Sequence, residues 1–264
     1  MSIWLLILGG WAGMVVVMAA LWVVQRVRGD AGIVDVAWGL GVGLLGALFA
    51  ALSSTGDPTR RMLIAGMVLL WALRLSAHIA VRLLRLPEDG RYQSLKETWG
   101  ARAQWNLFLF FQLQAFWSML FALPMLLASR NPLPMWQVLD VLAVMIWLIA
   151  FCGEALADGQ LSAFRHKPAN RGQVCRQGLW RYSRHPNYFF EWLHWWAYVC
   201  LAAGSSWGAL ALAGPAAMLF FLLKVTGVPP TEAQALKSRG EAYREYQRTT
   251  SVFFPWPPKR AASE

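Results

Sequence analysis

"IWLLILGGWAGMVVVMAALWVV", Ile3 to Val24, runs for twenty-two residues without a single charge. As an α-helix it rises roughly 33 Å, enough to cross a hydrocarbon core of about 30 Å. No basic segment precedes it and it is longer than a signal-peptide core, so it is expected to be a retained helix. Similar runs recur, and the expected spans are 3–24, 31–52, 62–84, 104–128, 135–157, 187–203 and 207–226. These predict an all-α polytopic membrane protein with about seven transmembrane helices. The composition agrees, being 57% hydrophobic and only 14% charged, where a water-exposed domain carries about 25% charged residues. Sixteen tryptophans suit the two interfacial belts, where an amphipathic ring sits best.

The formal charge of +10 first suggests nucleic acid, but its distribution points to a membrane. Twenty of the 24 Lys and Arg residues fall in segments 25–30, 82–102, 158–186 and the tail from 224. The alternate loops hold only Arg60, Arg61 and Arg130. This bias places the N-terminus outside and the C-terminus in the cytoplasm, in a multi-pass protein of the inner membrane. No nucleic-acid partner is expected. Cys152, Cys175 and Cys200 lie far apart with no zinc-like grouping, so neither a disulfide framework nor a metal site is indicated. No repeat or linker divides the chain, which reads as one transmembrane domain, 1–264, and as a monomer.

Charges at membrane depth are costly and usually face a bundle interior or a wet cavity. They are Asp35, Arg74, His78, Asp140, Glu154, Glu191 and His194. Asp140, near an outer helix end, reads as interfacial. Asn187, Glu191, His194 and Tyr198 follow at i, i+4, i+7 and i+11, one stripe of a helix. Arg74 with His78, and Glu154 with Asp158, are further i, i+4 pairs. Buried pairing that fixes helix register, such as Asp35 with Arg74, is the plain alternative for any one of them. Together they predict a pocket open to the cytoplasm and capped by basic loops.

The loop "DGQLSAFRHKPANRGQVCRQGLWRYSRHP", Asp158 to Pro186, interleaves six basic groups with aromatic rings and suits phosphate oxygens. Attraction to anionic headgroups needs no particular geometry, whereas Asp158, Asn187 and Glu191 suit the amides and hydroxyls of a nucleotide. Glu232, Arg244, Tyr246 and Arg248 of the tail are placed to reach the same ligand, if its amphipathic helix does not lie on the surface. Neither GxGxxG after a strand nor GxxxxGK[ST] occurs, so a dinucleotide needs some other cradle.

"GLWRYSRHPNYFFE" (Gly178–Glu191), with "DVAWG" (Asp35–Gly39), "EDGRYQSL" (Glu88–Leu95) and "TSVFFPWPPK" (Thr250–Lys259), resembles the bacterial, DUF1295-like branch of the steroid 5-alpha-reductase family. The resemblance covers nearly the whole chain. It implies a membrane enzyme that binds NADPH from the cytoplasmic side and reduces a C=C bond in a lipid. By motif, Asn187 and Glu191 match the family's cofactor-contacting pair, and Asp158 and Arg165 match an Asp and Arg placed before a Lys-Pro. Arg91 and Tyr92 fall where a loop of the family meets the cofactor. Arg171, Arg181, Tyr182, Arg184, His185, Tyr188 and Arg248 complete the expected cofactor-binding set, within a cofactor-binding half of about 82–264. The eukaryotic enzymes carry a Gln-Glu pair on the second helix and a Tyr on the third. Here Asp35 is the nearest acid and Trp71 stands near the Tyr position. Isoprenylcysteine-type methyltransferases, which bind S-adenosylmethionine, share the G-x-W-R-Y-x-R-H-P-x-Y pattern but lack an acid at the position of Glu191.

The expected reaction is reduction of a double bond conjugated to a ketone in a steroid-like lipid, of the 3-oxo-Δ4-steroid 5-alpha-reductase type. Hydride goes to the β-carbon while a neutral acid of raised pKa polarises the carbonyl. Asp35, aided by Arg74 or His78, is the expected acid. The proton for the α-carbon comes from water or a tyrosine, with nothing in the sequence to choose.

Overall fold

The computed structural model describes residues 2–85 and 87–259. Those residues are helices and connecting turns, with no strand among them. Among the described residues six stretches are long and apolar enough to cross a membrane: Ile3–Arg28, Ile33–Leu52, Pro58–Leu84, Gly90–Ser129, Val138–His166 and Gly208–Arg239. That is consistent with a multi-pass membrane protein. The expected span 187–203 is a helix, Pro186–Ala202, but of 17 residues. Its rise of about 25 Å falls short of a full hydrocarbon core. Several helices outrun their apolar segments, because hydropathy registers only the part that lipid would cover.

The chain divides into two compact units, Met1–Asp140 with Tyr198–Gly214, and Val141–Ala197 with Pro215–Glu264. The first holds α1 (Ile3–Arg28), α2 (Ile33–Leu52), α3 (Pro58–Arg85), α4 (Gly90–Trp99) and α5 (Ala103–Ser129). Ser2 caps α1 by accepting the Leu5 N–H at 3.2 Å, and Gly29 ends it at φ +78. Helix α2 carries Gly39, Gly43 and Gly46 along one face. A Cβ at Gly43 would strike Ala72 and one at Gly39 would lie 2.8 Å from Ser76 Oγ, both on α3. Small residues thus let the two helices close to van der Waals contact, the means of association available when lipid is as apolar as leucine.

One end of this unit is locked by Arg60, which is 1% exposed. Its Nε and one terminal nitrogen reach Asp140 at 2.9 and 2.8 Å. The remaining donors go to the carbonyls of Asn131, Leu133 and Pro134 at 3.2, 2.7 and 3.3 Å. All five guanidinium N–H groups are used. Asp140 is therefore a buried structural anchor and not the interfacial charge expected from its place near a helix end. Asn131 also donates to the Leu201 carbonyl at 2.9 Å, tying the last turn of the 17-residue helix to the same corner. At the other end Lys96 joins Glu88 at 2.7 Å and the Gly29 carbonyl at 2.6 Å.

The second unit contains most of α6 (Val138–His166) and α7 (Pro186–Ala202), then α8 (Ala213–Phe220), α9 (Val228–Arg239) and α10 (Glu241–Thr249). A five-residue π-turn, Phe221–Val225, separates α8 from α9. Phe253 and Phe254 of the tail pack edge-on against Trp192 of α7, with centroids 5.9 and 5.6 Å apart.

Candidate functional site

In the second unit, the turn before α7 is built on Gly178, at φ +56, where a Cβ would collide with the Gln160 amide. Gln160 Oε1 accepts the Leu179 N–H at 2.9 Å, and Trp180 Nε1 donates to the Ala157 carbonyl at 2.9 Å. The Tyr246 hydroxyl donates to the Trp180 carbonyl, with that of Ser183 3.1 Å away. Burial pushes this phenol well above its ordinary pKa, so it stays a donor. Pro186, with φ already fixed, begins α7.

Glu232 of α9 is the hub that fastens the tail to this turn. It accepts from Arg184 Nε at 2.6 Å and Gln247 Nε2 at 2.6 Å, while His185 Nε2 lies at 3.2 Å and the Tyr243 hydroxyl at 3.4 Å. Arg184 further donates to the carbonyls of Gln247 and Thr250 at 3.1 and 2.6 Å. Arg184 and His185, expected to hold a cofactor, are thus engaged in the protein's own clamp. Tyr188 stacks on His185 at 5.1 Å and shares a hydrogen bond with the Thr231 hydroxyl at 3.0 Å.

At the start of α7 the pattern changes. Asn187 Nδ2 donates to Asp158 Oδ1 at 3.2 Å, as the pairing of those two residues in one site requires. Its Oδ1 is buried and accepts no hydrogen bond from the chain. Glu191 and His194 follow on the same face, both buried, and Glu191 Oε1 accepts the Trp195 N–H at 3.3 Å. Arg165, in the last turn of α6, and Arg171, Arg181 and Tyr182 on the following loop and turn are exposed. Arg248 lies at the surface of α10, bonded to Glu241 at 2.9 Å.

The other expected residues belong to the first unit. Asp35 accepts the Tyr92 hydroxyl at 2.7 Å and an Arg91 N–H at 3.1 Å. Arg91 also touches Asp89, which caps α4 by accepting the Arg91 backbone N–H at 2.9 Å. Burial pushes the Asp89 carboxyl up, but that N–H and the Arg91 guanidinium prevail and hold it below the usual range. Arg91 is thus a cation bonded directly to Asp35. Arg74 is half-buried and His78 exposed, because the boundary of the buried face of α3 falls between them. A scan for ionisable residues passed over Gln112 of α5, whose amide nitrogen and oxygen are both buried without a partner. The signal was there: an uncharged amide within "FLFFQLQAF" (Phe108–Phe116, preceded by Leu107). Among the described residues no group of His, Cys, Asp or Glu is arranged to hold a metal ion.

A family model described as a protein of unknown function (DUF1295) matches residues 21–250. The chain belongs to this DUF1295 family. The family is associated with steroid 5-alpha-reductase-like membrane proteins. The match takes in the turn before α7, the Asn187–Asp158 pair, the Asp35 cluster and the Glu232 clamp, and stops at residue 250. No curated protein and no solved structure matches the chain.

Proposed function

We propose that this DUF1295 protein is an NADPH-dependent oxidoreductase that reduces a C=C bond conjugated to a ketone in a steroid-like lipid. In this reading it is an inner-membrane protein with α7 as a seventh crossing, the N-terminus outside and the C-terminus cytoplasmic. The observation that carries the proposal is the Asn187 amide. Its nitrogen is committed to Asp158, and its buried oxygen lacks the donor that buried acceptors nearly always have. The carboxamide N–H or a ribose hydroxyl of a nicotinamide nucleotide is a donor of the right kind, so the residues present fit the group. Asn187, Asp158 and Glu191 would hold its polar edges, and Arg165, Arg171 and Arg181 its phosphates.

NADPH, when bound, supplies hydride to the β-carbon of the enone. The chain's own contribution is to bind, orient and polarise. The Glu232 clamp fixes the turn before α7, so that Asn187 and Glu191 project from a rigid start. Asp35, held by Arg91 and Tyr92, is in this reading the acid that polarises the ketone oxygen, aided by Arg74 or His78. The proton added at the α-carbon comes from water or a tyrosine.

The test is NADPH oxidation by detergent-purified protein with a Δ4-3-ketosteroid, the product identified by its gain of two hydrogens. Wild type is expected to turn over, and Glu191→Ala to lose activity at least a hundredfold while keeping its expression level. Undiminished turnover by Glu191→Ala would remove the cofactor site. Binding of S-adenosylmethionine without binding of NADPH would replace the reductase by the methyltransferase reading.

A further inference from the structure

In the first unit, α2 and α5 end and α3 begins at one corner, where three segments of chain meet. The Asp57 N–H donates to the Asn131 carbonyl at 3.2 Å, and Asn131 Nδ2 donates to the Leu201 carbonyl at 2.9 Å. Segments 53–57, 129–131 and 201–205 are tied together in this way. Three arginines stand at the corner, and two of them are engaged. Arg60 is saturated as described above, and Arg61 donates to the carbonyls of Ala50 and Ala51, both at 2.6 Å. Arg130 is half-buried, and its buried Nη1 donates to nothing among the described residues. Both carboxylates of the corner have other partners. Asp140 holds Arg60, and Asp57 accepts the backbone N–H groups of Thr59, Arg60 and Met135 at 2.9, 3.0 and 3.2 Å. The hydroxyls of Ser53 and Ser205, one from each of the other two segments, are likewise buried without a partner.

An unpaired guanidinium in a partly dry setting costs more than an unpaired amide, because its charge cannot be removed. Its complement is an anion whose oxygens accept several donors at once. One guanidinium matches one negative charge, which fits a phosphodiester better than a phosphomonoester of nearly two. The corner lies where apolar helices reverse, the depth at which phospholipid phosphates stand. Trp136 and Trp207, on two of the connecting loops, are exposed, as indoles at headgroup level are. Trp136 is held there at φ +75, a backbone conformation that a bulky residue rarely adopts. We propose that Arg130, with the hydroxyls of Ser53 and Ser205, binds the phosphodiester of an acidic phospholipid at this corner. The half-buried arginine turns its Nη1 toward the phosphate as the lipid binds. Lipid binding here is independent of the nucleotide reading above. Inorganic phosphate has the same chemistry, and the experiment separates the two sources.

The full chain, purified in a neutral detergent, is titrated with phosphatidylglycerol, phosphatidylcholine or inorganic phosphate. Native mass spectrometry and thermal melting follow the binding. Phosphatidylglycerol is expected to bind wild type about tenfold more tightly than phosphatidylcholine and to raise its melting temperature. Arg130→Gln should weaken phosphatidylglycerol about tenfold, the loss of one charge-assisted contact, and Arg130→Lys should recover part of it. Ser53→Ala combined with Ser205→Ala should weaken it about fivefold. Without lipid, Arg130→Gln should melt no lower than wild type, because Nη1 has no partner in the chain to lose. Unchanged phosphatidylglycerol binding by Arg130→Gln overturns the site. A lower melting temperature of that variant without lipid also overturns it, by making Arg130 a structural pin. An equal gain in stability from inorganic phosphate overturns the lipid as the occupant.

Discussion

Arg60 and Asn187 are both polar side chains set among apolar helices, and the chain treats them in opposite ways. Arg60 spends every N–H it has, on one carboxylate and three carbonyls. Asn187 spends its nitrogen on Asp158 and leaves a buried oxygen without a donor. In a protein interior a satisfied group specifies structure, whereas an unsatisfied one costs free energy until something fills the gap. The comparison distinguishes a saturated structural anchor from a candidate binding group without reference to conservation. It also explains why the family's motif residues divide: Arg184 and His185 behave like Arg60, and Asn187 does not.

The largest effect should follow from Asp140→Ala. It leaves the Arg60 guanidinium buried without its counter-ion, a change worth about 3 to 5 kcal/mol. Loss of the monodisperse, detergent-solubilised protein on mild heating would report it. The double change Arg60→Met with Asp140→Leu should recover much of that loss, because desolvation of the pair offsets most of its attraction. A harmless Asp140→Ala would mean that saturation of donors is no guide to structural weight here. Next comes Glu232→Gln, which keeps the shape of the hub and removes its charge. Its amide cannot accept from Arg184, His185 and Gln247 together, so a loss of about 2 kcal/mol is expected. Limited proteolysis should then cut the tail near 250–259 while the helices stay intact, and an unaltered cleavage pattern would argue against the clamp.

Most of the fold was legible because helix length and apolar composition answer directly to the thickness of a bilayer. Pro186–Ala202 was legible as a helix to within a residue at each end, but at 17 residues it is not among the six stretches long enough to cross. The pairing of Asn187 with Asp158 was legible in part, since helical spacing and motif put both residues in one site. The Glu232 hub was not, because its partners Arg184, Gln247 and Tyr243 are as far as 48 residues away and only the folded tail assembles them. Asp35 was legible as an unusual charge but not as a partner of Arg91, 56 positions on. Spacing along a helix predicts a shared face, and it says nothing of which distant loop will supply the counter-ion.

The smallest effect on stability, and the sharpest on the comparison, is expected from Asn187→Ala. The change removes one neutral-to-charged hydrogen bond at 3.2 Å and deletes the orphan oxygen along with it. The two contributions oppose each other, so the apoprotein should shift by no more than about 1 kcal/mol. Ligand linkage should behave differently. Nucleotide at a hundred times its Kd stabilises wild type by about 2.7 kcal/mol, and in the variant weaker binding should remove most of that gain. Melting curves with and without NADPH therefore distinguish a ligand-seeking amide from a structural pin. A pin would lower the melting temperature of the apoprotein as far as Asp140→Ala does and leave the increment due to NADPH intact.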